Sequence, residues 1–186
     1  ELPAGAHGQA PPPGGLAYPV RVATHAVPGP GAGPRDVDMV VGVVAGGQAR
    51  AYPVSLLWGE SAHTLNDELG RTPVAVALCP LAGVAAAFER RSGGGALELG
   101  HVSEVRLDTL VLYDARTRSR FGLLTGEAFE GPLEGRRLAR LPSLFTTWGR
   151  WKALHPETTV HVDPEEAARG FEIDADRVRR IVLAGS

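Results

Sequence analysis

The sequence predicts a mainly β (α+β) fold, a single compact antiparallel β barrel or sandwich with a few short helices. Three observations carry that prediction. Short, β-branched apolar runs recur from Met39 to Tyr113, and Gly- or Pro-bearing turns separate them. Sustained helical periodicity begins only near Thr146. Helices do not alternate with strands, which argues against a parallel α/β layout. The 186 residues, 44% of them apolar, amount to one domain. A chain of that size buries roughly 70% of its unfolded surface, so it needs no covalent staples.

In chain order, residues 1–34 hold 7 of the 24 glycines and 8 of the 15 prolines. Pro11-Pro12-Pro13-Gly14-Gly15 and Pro28-Gly29-Pro30-Gly31 exclude helix and central strand there. The segment is read as an arm laid over the body, with an edge strand at Tyr18 to Val22 and mobile first residues. Residues 35–186 form the single β-rich globular domain. Met39 to Val44 is a strand, Gly46-Gly47 its turn, and Ala49 to Val54 the return strand, ended by Pro53. Trp58 to Gly70 reads as polar and irregular, with a helical turn at Leu65 to Leu69. Thr72 to Leu78 is a buried strand running into Cys79-Pro80, and Val84 to Arg90 is the next. Gly93-Gly94-Gly95 leads into Ala96 to Leu99, and Thr109 to Tyr113 precedes a charged turn at Asp114 to Arg120. Phe121 to Leu124 and Arg137 to Leu141 read as short strands. Thr146 to Leu154 is an amphipathic helix with Trp148, Trp151 and Leu154 on its apolar face, stopped by His155-Pro156. Asp163-Pro164-Glu165-Glu166 starts a short helix.

Charge and composition exclude several functions. With 19 basic against 21 acidic residues and net charge -2, no basic excess favours a phosphate backbone, so nucleic acid is not an expected partner. No apolar run reaches the ~20 residues of a transmembrane segment, and Glu1 is not followed by the basic start and apolar stretch of a signal peptide. A soluble domain is expected, with removal of a leader or anchor before Glu1 left open. Lys152 is the only lysine and Asn66 the only asparagine, a bias that fits a thermophile and equally a GC-rich genome. Cys79 is the single cysteine, which rules out an internal disulfide and a closed Cys-rich zinc site. The nucleotide, metalloprotease and hydrolase motifs are absent.

Chemistry therefore rests on few residues. Cys79 ends an apolar strand ahead of Pro80 and Gly83, where a thiol can be displayed at the strand mouth. A lone cysteine is also commonly a buried, inert core residue. Among six histidines, His63 lies in a loop beside Asn66 and Asp67, and His101 follows a strand behind Gly100. Loops at one end of a sheet can bring His63, His101 and Cys79 together. A thiolate with one or two imidazoles suits copper first and zinc second. The same groups, with Asn66 or Asp67 orienting an imidazole, suit a cysteine nucleophile. His155 is read as a helix stop, His161 as a strand residue, and Asp108, Asp114, Glu127 and Glu130 as solvated turn acids. Trp148 and Trp151 are read as core.

Several strings, in order, resemble domain-of-unknown-function family 3179, a family of bacterial and archaeal proteins. They include Val41-Gly42-Val43, Ala49-Arg50-Ala51-Tyr52-Pro53, Leu65-Asn66-Asp67, Thr72-Pro73-Val74 through Cys79-Pro80-Leu81, Leu112-Tyr113-Asp114, Leu124-Thr125-Gly126-Glu127-Ala128, Gly131-Pro132-Leu133 and Thr147-Trp148 with His155-Pro156. The resemblance spans about residues 14–162. It implies an extracytoplasmic home, periplasmic or at the cell surface, because such proteins commonly look exported or anchored. The family centre reads Tyr-Cys-Pro-Leu-Cys-Gly, and here its second cysteine is Ala82, which leaves no dithiol redox cycle within the chain. The family's His-Glu pair ahead of Asn-Asp is here Ala62-His63-Thr64, and its Trp-Ser-Gln stretch is Phe121-Gly122-Leu123. Three functions remain as expectations: an exported domain holding a soft metal ion or another small ligand, the metal copper through Cys79, His63 and His101; a cysteine-nucleophile enzyme; or a structural or interaction module of the cell envelope.

Overall fold

The computed structural model describes residues 33–58, 63–92 and 94–162, together with the backbone of His25–Ala26. The expected strand at Tyr18 to Val22, the mobile first residues and the helix at Asp163 to Glu166 lie outside the described residues. The elements are β1 (His25–Ala26), β2 (Met39–Ala45), β3 (Gln48–Pro53), α1 (Val54–Leu57), β4 (Thr64–Leu69), β5 (Thr72–Cys79), β6 (Val84–Glu89), β7 (Arg91–Ser92) and β8 (Gly95–Ala96). Then follow β9 (Leu99–Arg106), β10 (Thr109–Asp114), β11 (Arg120–Gly122), β12 (Ala128–Glu130), β13 (Ala139–Arg140), β14 (Ser143–Thr147), α2 (Trp148–Leu154) and β15 (Thr159–His161). The fold is mainly β, as the strand-rich pattern predicts, and the described residues form no closed barrel.

Three sheets share two cores. The first sheet runs β1-β15-β3-β2-β14, the second β13-β6-β5-β4 and the third β12-β11-β10-β9, with β7-β8 as a separate ribbon. Pairing is antiparallel except for β15, which runs parallel to β3 with Thr159 beside Arg50 and Val160 beside Ala51. The second sheet is the middle layer, and β5 shows why. Strand residues alternate faces. Val74, Val76 and Leu78 join Val41, Val43 and Tyr52 of the first sheet in one apolar core. Ala75, Ala77 and Cys79 join Leu99, Leu110, Leu112 and Phe121 of the third sheet in the other. A strand covered on both faces reads as a continuous apolar run, which is how Thr72 to Leu78 is written. Helix α2 covers the outer face of the first sheet, where Trp148 and Trp151 pack on Val40, Ala51 and Val160. Trp151 lies so close over Gly42 that any added Cβ would overlap its ring.

The structure departs from the sequence reading at defined places. Leu65 to Leu69 is a strand, not a helical turn: it pairs with β5, and Asn66 and Asp67 are buried with side-chain hydrogen bonds to neighbouring layers, while Glu68 stays exposed. A tight turn at Gly70, with φ of 61°, makes that hairpin. The strand expected over Ala96 to Leu99 is not formed as such: Leu97 and Glu98 lie outside any strand, and β9 begins at Leu99 and runs through Gly100 and His101, which pair with β10. Leu154 is 62% exposed, because helix α2 ends one turn after Trp151 and only the two tryptophans reach the sheet. Ser143–Thr147 forms an exposed edge strand on β2 that the sequence pattern does not announce.

Candidate functional site

The corner where β4 meets β9 gathers most of the residues singled out above. Asn66 on β4 reaches across to β9. Its Nδ2 donates to the Leu99 carbonyl at 2.7 Å, and its Oδ1 accepts from the Leu99 amide at 3.0 Å. The amide thus imitates a strand partner and locks the second sheet to the third, two residues from His101. Along the same corner the rings of His63 and His101 touch, centroids 4.9 Å apart and tilted by 42°. The two contacts, 66 with 99 and 63 with 101, run in opposite directions along the chain, so the strands cross the corner antiparallel.

Each ring is fixed. His63 lies 2.9 Å through Nδ1 from the Leu57 carbonyl. A carbonyl only accepts, so Nδ1 carries the proton and Nε2 keeps its lone pair. Burial pushes the His63 pKa below its usual value near 6.5, against a smaller upward push from the Leu57 hydrogen bond. Its imidazole is therefore neutral at pH 7. The carbonyl of His63 accepts from the Leu78 amide at 2.9 Å, which extends the β4–β5 ladder past Thr64. His101 is 2% exposed. Thr64, beside His63, has a buried hydroxyl without a hydrogen bond among the described residues.

Cys79 does not open at a strand mouth. It is 1% exposed, pairs with Val84 and packs in the apolar core between the second and third sheets. β5 runs one residue further than the sequence reading placed it, and the turn that follows carries Leu81, Ala82 and Gly83 outward instead. Among the described residues no group of three His, Cys, Asp or Glu side chains is disposed to hold a metal ion.

Asp67 faces away from this corner. Its Oδ2 accepts from Arg50 Nη1 and from the Tyr52 hydroxyl, each at 2.6 Å, and Oδ1 accepts from the Glu68 amide at 2.6 Å. It therefore orients no imidazole at the corner; for His63 the Leu57 carbonyl does that work. Arg50 also donates from Nε to Thr159 Oγ1 at 2.9 Å, tying β3 to β15. Burial above all, then the Asp67 charge and hydrogen bond, pushes the Tyr52 hydroxyl well above 10, with Arg50 opposing. The sequence reading passed over Arg50 and Tyr52. The signal was the alternation Ala49-Arg50-Ala51-Tyr52, which sets a guanidinium on the same strand face as a core tyrosine.

The remaining candidates are structural. His155 caps helix α2, its amide donating to the Trp151 carbonyl, and its ring lies 4.1 Å from that of Trp151. His161 is buried on β15 as a strand residue. Asp114 is fully buried, not a solvated turn acid: it accepts from the Glu98 and Thr117 amides at 2.8 Å and holds the turn after β10. Glu130 pairs with Arg120 at 2.8 Å and Glu127 with Arg137 at 2.7 Å. Arg120 also pairs with Glu104.

Fold and site together define a layered β domain whose buried polar groups hold strands and sheets together, with one corner where two imidazoles meet. The family described as protein of unknown function (DUF3179) matches residues 31–176, and the chain belongs to that family. No curated protein and no solved structure matches the chain.

Proposed function

We propose that the domain binds one soft metal ion, Cu(I), at the β4–β9 corner, with His63 and His101 as ligands. The observation that supports this reading is the contact between the two rings, one of them held with its Nε2 lone pair uncommitted by the Leu57 carbonyl. Second-partner hydrogen bonds of that kind fix the tautomer of metal-binding histidines and raise their basicity. Zinc asks for three or four protein ligands, whereas Cu(I) accepts two nitrogen donors in line. A two-imidazole corner therefore favours copper. Seating an ion requires the rings to turn from their tilted contact toward nitrogen-to-nitrogen approach. Cys79, which follows Leu78 on β5, is the chain's single thiol and the donor proposed for a third position. An extracytoplasmic setting, implied by the family resemblance, completes the reading.

Anaerobic Cu(I) titration should saturate near one equivalent and raise the melting temperature, as any ligand specific to the folded state does. His63→Ala should abolish both effects. Cys79→Ser leaves uptake unchanged if the site is two imidazoles and weakens it if sulfur takes part. Wild type and His63→Ala titrating alike would end the proposal.

The burial of Cys79 favours a second reading, a structural or interaction module of the envelope. A thiol that resists a small alkylating reagent until the protein unfolds, together with no copper uptake, would establish it over the first. The same burial removes the support for a cysteine nucleophile.

A further inference from the structure

We infer that the cavity at the start of β3 and β15 is a binding site for a small monocarboxylate with an apolar body. The cavity is an open cleft of about 670 Å³ between the turn at Gly47 and the segment that joins α2 to β15. That volume falls within the range of small-molecule sites. Its polar wall is a row of donors. Arg50, with a side chain only 5% exposed, lines it. The hydrogen bonds of Arg50 use Nε, to Thr159 Oγ1, and Nη1, to Asp67 and to the Glu68 carbonyl at 3.4 Å; Nη2 has none to a described residue. The Thr159 oxygen accepts from Arg50, so its hydroxyl proton is left to donate outward. Gln48 accepts from the Gly70 amide at 2.9 Å through Oε1, which leaves its NH₂ group as a donor.

Backbone geometry aligns the three. Gln48 and Arg50 are two apart on β3 and share a face, and Thr159 sits beside Arg50 in the parallel register. Three donors in one row, the Arg50 Nη2, the Thr159 hydroxyl and the Gln48 amide, suit a carboxylate, which has acceptors only. Leu154 and Pro156 supply an apolar wall for the rest of the ligand. Two carboxylates set the charge limit. Asp67 neutralises most of the Arg50 charge, and Glu157 stands exposed on the rim. These carboxylates repel a dianion more strongly than a monoanion, so at about pH 8, where inorganic phosphate is mostly dianionic, phosphate is disfavoured against a monocarboxylate.

The test uses the whole chain at that pH and three probes: butyrate, acetate and inorganic phosphate, followed by amide chemical shifts. Butyrate should give saturable shifts at Gly47, Thr158 and Thr159, acetate weaker ones, and phosphate none. Thr159→Val removes one donor at unchanged shape and should weaken butyrate about tenfold, or roughly 1.4 kcal/mol. Gln48→Leu should weaken it comparably. Both positions lie at the cavity wall, so these variants keep the test alive if Arg50→Lys fails to fold. Absence of saturable shifts overturns the proposal, as do shifts unaffected by both variants or phosphate binding as well as butyrate. None of these outcomes involves copper, so the two sites are tested apart.

Discussion

Replacing Asp67 by Asn isolates the contribution of the buried charge between the first and second sheets. The substitution keeps the shape of the side chain and removes its charge, while the Arg50 guanidinium stays in place. The two side chains are 5% and 4% exposed, so water is a poor replacement for the lost partner. Removing one member of a buried ion pair typically costs about 3–5 kcal/mol. In a chain of this size about 1 kcal/mol moves the melting temperature by roughly 2–4 °C. Asp67→Asn should therefore lower it by roughly 6–20 °C. Tyr52→Phe removes one charge-assisted hydrogen bond and leaves the ion pair, so its cost should be smaller, about 1.5–3 kcal/mol. The double variant Arg50→Met with Asp67→Leu removes both charges and should recover much of the loss, since a well-packed apolar pair often equals a buried salt bridge. Urea unfolding at pH 7, followed by circular dichroism with unchanged slope, measures all three. An Asp67→Asn cost below about 1 kcal/mol would refute the reasoning, and so would a double variant worse than the single one.

Asn66→Leu should destabilise the protein by about 2–4 kcal/mol, because it leaves the buried amide and carbonyl of Leu99 without their partner. It should also raise amide exchange along β9 more than along β2, and equal exchange in both strands would contradict its role as the clamp between sheets. Acid should weaken the protein through His63. Its folded pKa lies below the ordinary value near 6.5, so the unfolded chain binds the extra proton first. That contribution is complete above about pH 6.5 and is lost as pH falls through the folded value. Melting temperatures of wild type and His63→Asn should converge as pH drops from 7 toward 5, and a constant gap would show that His63 is not the group involved.

The legible parts of the fold were those whose signal is local. Met39–Ala45, Thr72–Cys79, Val84–Glu89 and Thr109–Asp114 are apolar runs between turns, and each is a strand. Thr64–Leu69 was not legible, because Thr-Leu-Asn-Asp-Glu-Leu carries four polar residues in six. Its strand character depends on partners far along the chain: Leu99 for Asn66, and Arg50 and Tyr52 for Asp67. Ser143–Thr147 is written without an apolar face because it is an exposed edge. At the candidate site, the meeting of His63 with His101 was expected and the rings do touch. The expected route was wrong in part, since His101 stands within β9 and not in a loop after it. The burial of Cys79 was hidden because a strand end is exposed in a two-layer sandwich, whereas β5 has a sheet on each face.

That third layer changes what position 79 requires. On one face of β5 the residues are Val74, Val76 and Leu78; on the other they are Ala75, Ala77 and Cys79. Small side chains on the second face let the third sheet approach closely, and close approach is what lets Asn66 reach the backbone of Leu99. A side chain of about the size of cysteine at the end of that row follows from packing alone, and sulfur chemistry is not needed to account for it. The imidazoles are different. Leucine or phenylalanine would fill the same corner without placing nitrogen donors in a space that already encloses the Thr64 hydroxyl, and buried polar groups carry a desolvation cost. Packing accounts for the cysteine, so the copper proposal rests on His63 and His101 and not on the thiol.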